Sequence, residues 1–331
     1  MEEFNMKKVY KVMTTAALAS LILGGAALGT ATANVSNPTL PAPKSVAAQT
    51  SAQNPSVTHN GITLSVSKAL YDGNYIGITV NRSGGGLTSG ITEGNFDAQA
   101  EDYAFAKGAI KDIQIFMNGK NIYDMGDGKL HKRPSLGWAQ GSNPDVAEIK
   151  IVDPTWLGDH LNELAFSNQF KLTVKITLEG VDKPYTLEMP MQQSVEKATA
   201  LKPNMTKKHG NLSVTLSKLN LTSDSSRIQL IEKGLDKDKH SGIIYEFVDD
   251  EGNIIEQISG FGTNDNNNNG HWYHNFVIDA LSKNTESITV KAFTPEMETP
   301  GATSGSFKRD ENGNLIKNYI KNLEMTVKVK K

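Results

Sequence analysis

Residues 59–68 read His-Asn-Gly-Ile-Thr-Leu-Ser-Val-Ser-Lys, and residues 209–218 read His-Gly-Asn-Leu-Ser-Val-Thr-Leu-Ser-Lys. In the first stretch Ile62, Leu64 and Val66 alternate with Thr63, Ser65 and Ser67; in the second, Leu212, Val214 and Leu216 alternate with Ser213, Thr215 and Ser217. Successive side chains of a strand point to opposite faces, so a period of two describes a strand with one apolar and one wet face, as antiparallel sheets require. The two stretches lie 150 residues apart, and the same offset places Ile78 and Val80 on Ile228 and Leu230. Two copies of one strand pair are the simplest cause.

Working outward, the alternation returns in Leu172, Val174, Ile176 and Leu178, in Ile288 and Val290, and in Met325, Val327 and Val329. Turn chemistry separates further strands: Asn118-Gly119 between Ile113–Met117 and Asn121–Asp124, Asp250–Asn253 between Ile243–Val248 and Ile254–Ile258, and Asp310–Asn314 near the end. Each copy closes on a strand beginning Leu-Glu-Met, at residues 187–189 and 323–325. These elements predict an all-β chain of two tandem antiparallel β-sandwiches, at residues 56–195 and 200–331, joined across Gln193 to Asn204. Two stretches of the first sandwich, Asn95 to Gly108 and Pro154 to Phe166, read as short helices or irregular insertions. Trp156, Leu157, Leu161 and Leu164 have helical spacing, which suits a lid over one end of a core.

Ahead of the sandwiches, Lys7, Lys8 and Lys11 precede an uncharged stretch from Val12 to Leu28, and Ala31-Thr32-Ala33 supplies small residues for cleavage. Residues 1–33 therefore read as a signal peptide, cut before Asn34, and the mature chain as secreted or displayed on the cell surface. The alternative is a retained membrane anchor, because Val12 to Ala33 is long enough to span a bilayer, although its Thr, Ser and Gly make it weakly apolar. Residues 34–55 are rich in Pro, Ala, Ser and Thr and form a flexible tether. The 34 Lys and Arg nearly balance the 36 Asp and Glu, so no nucleic-acid partner is indicated, and the absence of cysteine excludes disulfides, thiolate metal sites and lipoprotein attachment.

The segment VTHNGITLSVSKALYDGNYIGITV, with IQIFMNGKNIYD, FKLTVKITLEG and YTLEMPMQQSVEK, resembles a domain-of-unknown-function family from the extracytoplasmic parts of envelope proteins of spore-forming Gram-positive bacteria. Some members of that family are similar to membrane-bound anti-sigma factors. The second half, with HGNLSVTLSKLNLTSDSSRIQL and IIYEFVDDEGNIIEQISG, resembles the immunoglobulin-like domain that commonly follows it. The resemblance implies immunoglobulin-like sandwiches and no known activity. With eleven residues before Val12, a direct sigma-factor contact is not expected.

Candidate chemistry is sparse. Asp265 to Gly270 matches the first half of a calcium loop, but the twelfth position is Phe276 where a bidentate acid is needed. His271 and His274, three apart on a strand, point to opposite faces and cannot share a metal. Ser65-Val66-Ser67-Lys68 has the S-x-x-K spacing of serine β-lactamases, a chemistry that needs a helix where this segment reads as a strand. Ser83 to Gly86 is not followed by a helix-starting Lys-Ser/Thr, and Asp236 to His240 reads as a solvated loop. No catalytic, cofactor or metal residue is therefore assigned. The expected function is a non-enzymatic binding, sensing or spacer role toward an envelope protein or cell-wall component, exercised by the loops Arg82–Gly108 and Asn264–His271. Membrane contact is expected only through the N-terminal segment, if it is uncleaved. The alternatives are a cell-wall structural protein and an exported carbohydrate-active hydrolase using carboxylates such as Glu101, Asp102, Asp159 or Glu163.

Overall fold

Asn60 and Gly61 both take positive φ, 49° and 74°, the two-residue turn whose twist matches a hairpin. In the computed structural model, which describes residues 54–97, 102–129, 132–158, 162–194, 198–235, 241–264, 270–300 and 305–329, this turn folds β1 (Ser56–His59) onto β2 (Ile62–Tyr71). The stretch expected to be a leader and nearly all of the expected tether lie outside the described residues. The first sandwich continues with β3 (Ile76–Gly84), the hairpin β4 (Gly94–Asp97) and β5 (Asp102–Phe105), then β6 (Ile110–Met117), β7 (Lys120–Asn121), β8 (Ser135–Gln140), β9 (Val146–Val152), β10 (Gln169–Leu178) and β11 (Tyr185–Gln192). The second holds β12 (Thr199–Leu201), β13 (Met205–His209), β14 (Leu212–Leu221), β15 (Ser225–Lys233), β16 (Ile244–Asp249), β17 (Ile254–Ile255), β18 (Gln257–Thr263), β19 (His271–Asp279), β20 (Ser287–Pro295), β21 (Lys317–Tyr319) and β22 (Met325–Lys328).

The strand orders coincide. One sheet of the first sandwich runs β1-β2-β3-β9-β8 and the other β11-β10-β6-β7; in the second they run β13-β14-β15-β19-β18 and β22-β20-β16-β17. The correspondence extends to single residues. Leu64 pairs with Arg82 and Val214 with Glu232, each 150 apart, and both hairpins carry a bulge at the same place, between Val66 and Lys68 and between Leu216 and Lys218. All pairings are antiparallel, and Ile62, Leu64 and Val66, like Leu212, Val214 and Leu216, are buried in the two cores as the alternation predicts.

Several expectations need correction. Asn95 to Gly108 contains the β4–β5 hairpin and, among its described residues, no helix; Gly94 permits it, because a Cβ there would come within 2.7 Å of the Phe105 ring. Buried Arg82 ties this insertion down, donating to the carbonyls of Ser89 and Gly108 and to Asp145 Oδ1. The strand expected at Asn121–Asp124 ends at Asn121, whose side chain accepts from the Tyr123 N–H and starts an irregular 3-10 turn. Ile254–Ile258 is split: β17 pairs with β16, and after Glu256 the chain crosses to the opposite sheet as β18. Within the expected linker, Thr199–Leu201 is a strand added to β14. Pro154 to Phe166, by contrast, holds a short 3-10 helix at Asn162–Leu164, within its reading as a short helix or irregular insertion, and residues 159–161 lie outside the described set.

Candidate functional site

The largest concentration of buried polar groups lies where the two sandwiches meet. It is built from equivalent turns. Asp72 Oδ1 accepts from the N–H groups of Asn74 (2.8 Å) and Tyr75 (3.1 Å), closing the β2–β3 turn. Thr222 Oγ1, 150 residues on, accepts from those of Asp224 (3.3 Å) and Ser225 (3.0 Å) at the β14–β15 turn. The two turns dock on each other: the Thr222 hydroxyl donates to Asp72 Oδ2 (2.7 Å), as does the Ser225 hydroxyl. Asn74 donates to Ser225 Oγ (3.0 Å) and to the Asn220 carbonyl (3.2 Å), and the Asn220 amide returns a bond to Asn74 Oδ1 (2.8 Å). Gly73 suits this turn, since its φ of +90° is one that residues with a side chain rarely adopt.

Beside the turns, Arg227 on β15 is 2% exposed. Its guanidinium donates to Asp153 Oδ2 (3.0 Å), to the Asp153 carbonyl (2.8 Å) and to Asn275 Oδ1 (2.8 Å). Asp153 is held in turn by the N–H and hydroxyl of Thr155. Trp156 lies between two cations, with Arg227 Cζ and Lys218 Nζ each 4.6 Å from its ring, and its carbonyl accepts from Gln229 (2.6 Å). The expected lid is therefore a wedge between the sandwiches, because the covered face of β15 offers Trp156 a cation and a donor that its own core lacks. Tyr75, Val152 and Val277 add an apolar cluster. Burial first, then the carboxylates of Asp153 and Asp72, push the nearby Tyr71 hydroxyl up to about 12, so it stays neutral.

A second cluster lies inside the second sandwich. Glu232 is fully buried on β15; its Oε1 accepts from Tyr245 (2.6 Å) and Ser241 (2.9 Å), and His274 Nε2 lies 3.1 Å away without the alignment of a hydrogen bond. Burial pushes the Glu232 carboxyl up, but His274, Tyr245 and Ser241 outweigh it and hold it below the usual glutamate value. Burial and the Glu232 charge push Tyr245 well above its own. His274 stacks on Phe276 with centroids 5.7 Å apart, while His271 faces the Tyr273 hydroxyl at 3.3 Å. The two histidines thus diverge as their strand spacing requires.

Of the other sequence candidates, Ser65–Lys68 lies in β2, Asp102 opens β5 and Glu163 is exposed in the 3-10 turn. Glu101, Asp159 and the runs 236–240 and 265–269 lie outside the described residues. Among the described residues, Asp102 and Glu163 lie in separate elements. The seam residues Asp72, Asp153 and Arg227 escaped sequence reading; the available signal was the repeat itself, which sets Arg227 against Gly77.

Residues 198–328, less than half of the chain and nearly all of the second sandwich, match a family of unknown function (DUF5643). That sandwich is similar to a family without an assigned role. No curated protein matches the chain. Among solved structures, the crystal structure of the conserved domain protein from Bacillus anthracis is similar with a TM-score of 0.49 and 10% identity, over 84% of this chain and 90% of that one.

Proposed function

We propose that this is an exported cell-envelope protein in which two fused sandwiches present their loops and sheet surfaces to an envelope protein or cell-wall component, as a binding, sensing or spacer body without bond-making chemistry. One observation carries the reading: the seam. Two modules joined by a flexible linker move independently unless their interface resists it. Here a fully bonded Arg227–Asp153 pair and the reciprocal Asn74–Asn220 bonds make the relative position of the sandwiches part of the fold. A rigid body of this kind holds the β4–β5 insertion of one sandwich in fixed relation to the loops of the other, which suits contact with a large partner. The N-terminal leader and the tether from Asn34 support placement outside the cytoplasm.

The test is a pull-down of residues 34–331 against envelope extracts and isolated wall, beside N-terminal sequencing of the released protein. Capture of one envelope component, and a sequence starting near Asn34, are expected. Turnover of a glycan or peptide substrate that one carboxylate or serine substitution abolishes would overturn the reading.

A further inference from the structure

The sheet edges of this protein are not alike. Most outer strands either carry a Lys, Glu or Pro or have four residues or fewer: β13 has Lys207 and Lys208, β11 has Glu188 and Pro190, β7 has Lys120, β21 has Lys317 and β22 has Lys328. Charge, Pro and shortness are the devices that keep an edge from pairing with another chain. Two longer edges lack them, β8 (Ser-Leu-Gly-Trp-Ala-Gln) and β18 (Gln-Ile-Ser-Gly-Phe-Gly-Thr).

We infer that β18 is a self-association edge, and that its occupant is β18 of a second copy of this chain, paired antiparallel about a two-fold axis. β18 bonds to β19 on one side and, among the described residues, to no strand on the other. Its bulge, between Gln257 and Ser259, sits at the start and leaves Ser259–Thr263 as a regular run. Such a pairing must be self-complementary, since each residue meets the residue the same distance beyond the axis. An axis at Gly260 sets Phe261 against Ser259 of the other copy and Gly260 against itself, large against small, with no like charges opposed. The corresponding axis in β8, at Gly137, would oppose Leu136 with Trp138, two large side chains, which is why β18 is preferred. The glycines also have a reason to be there. Gly260 and Gly262 face inward, where a Cβ would come within 3.0 Å of Phe276 and 2.6 Å of Trp272, so the edge keeps a bare backbone while β19 fills the interior.

Sedimentation velocity of the full chain and of the chain from Asn34, across a concentration series, reads the association; the shorter chain separates it from any due to the apolar leader. Twice the monomer mass is expected at high concentration in both. Ser259→Lys, which sets a charge beside the axis in each copy, should return the protein to monomer, with an unchanged β-sheet circular dichroism spectrum showing that it has folded. The same change on the unrelated edge, Ser135→Lys on β8, should leave the dimer intact. A wild-type protein that stays monomeric throughout the series, or a dimer indifferent to Ser259→Lys, overturns the inference.

Discussion

The hairpins β2–β3 and β14–β15 are one structure in two settings. Their registers and bulges agree at a constant offset, and so do the side chains that close their turns. Their surroundings do not agree. Along β3 the residues facing away from the core, Gly77, Thr79 and Asn81, are half-exposed, whereas their counterparts on β15, Arg227, Gln229 and Ile231, mostly lie under the other sandwich. The repeated residues set the strand pairing, and the residues that break the repeat set the docking. Gly77 against Arg227 is the clearest case, since a position that needs no side chain in one copy holds the main charge of the seam in the other.

Removing that charge is the strongest way to break the comparison. Arg227→Ala leaves Asp153 buried without its cation and should cost about 3–5 kcal/mol in denaturant unfolding. Thr79→Ala, beside it in the repeat but half-exposed on β3, should stay within about 0.5 kcal/mol. Similar losses at both positions would mean that the seam contributes nothing beyond the two separate folds.

The next contrast is inside the second sandwich. Val214 pairs with Glu232 where Leu64 pairs with Arg82, so each sandwich buries a charge at the same point of its hairpin and surrounds it with different groups. Arg82 finds the carbonyls of Ser89 and Gly108 and the carboxylate of Asp145; Glu232 finds Tyr245, Ser241 and His274. The folded carboxyl is held below its unfolded value, so the unfolded chain binds more protons in this range and stability rises with pH. The contribution of Glu232 is fully present above the ordinary glutamate range and is lost as pH falls through the lower folded value. Between about pH 5 and pH 3 the wild type should therefore lose more stability than Glu232→Gln, measured by melting temperature across the series. Parallel curves would show that folding leaves the Glu232 carboxyl unshifted, and a wild type that gains stability relative to Glu232→Gln as pH falls would show that the carboxyl is neutral in the fold.

Much of the architecture was legible because it depends on alternation and turns. Ile62, Leu64 and Val66 reach the core, Asn118 and Gly119 take the positive φ values that the hairpin needs, and His59–Lys68 and His209–Lys218 occupy equivalent strands. The seam was not legible, because alternation assigns a side chain to a face without saying what covers that face. Alternation alone would put Arg227 and Gln229 on the wet face of their strand. Trp156 read as a lid because helical spacing was the only pattern available over a segment that turns irregularly. Glu232 could have been noticed: it shares the parity of Ile228 and Leu230, and a carboxylate on an apolar parity signals a buried partner. The split of Ile254–Ile258 left no such mark, since Ile254, Ile255 and Ile258 around Glu256 and Gln257 suit one strand as well as two strands in different sheets.

The smallest expected effect concerns metal. Phe276, at the position where a calcium loop would need its bidentate acid, is buried between Tyr245 and Phe247 in the second core and offers no oxygen. His274 points inward to Glu232 and His271 outward toward Tyr273, so one ion cannot take both. Metal that binds only the folded chain raises its melting temperature in proportion to occupancy, and a chelator then lowers it. Addition of a chelator to the protein from Asn34 should thus leave its melting temperature unchanged. A drop that calcium restores would assign oxygen ligands to Asp265 and its neighbours and make the two sandwiches unlike in a further respect, since the β8–β9 turn of the first has only Asn143 and Asp145 in the corresponding place.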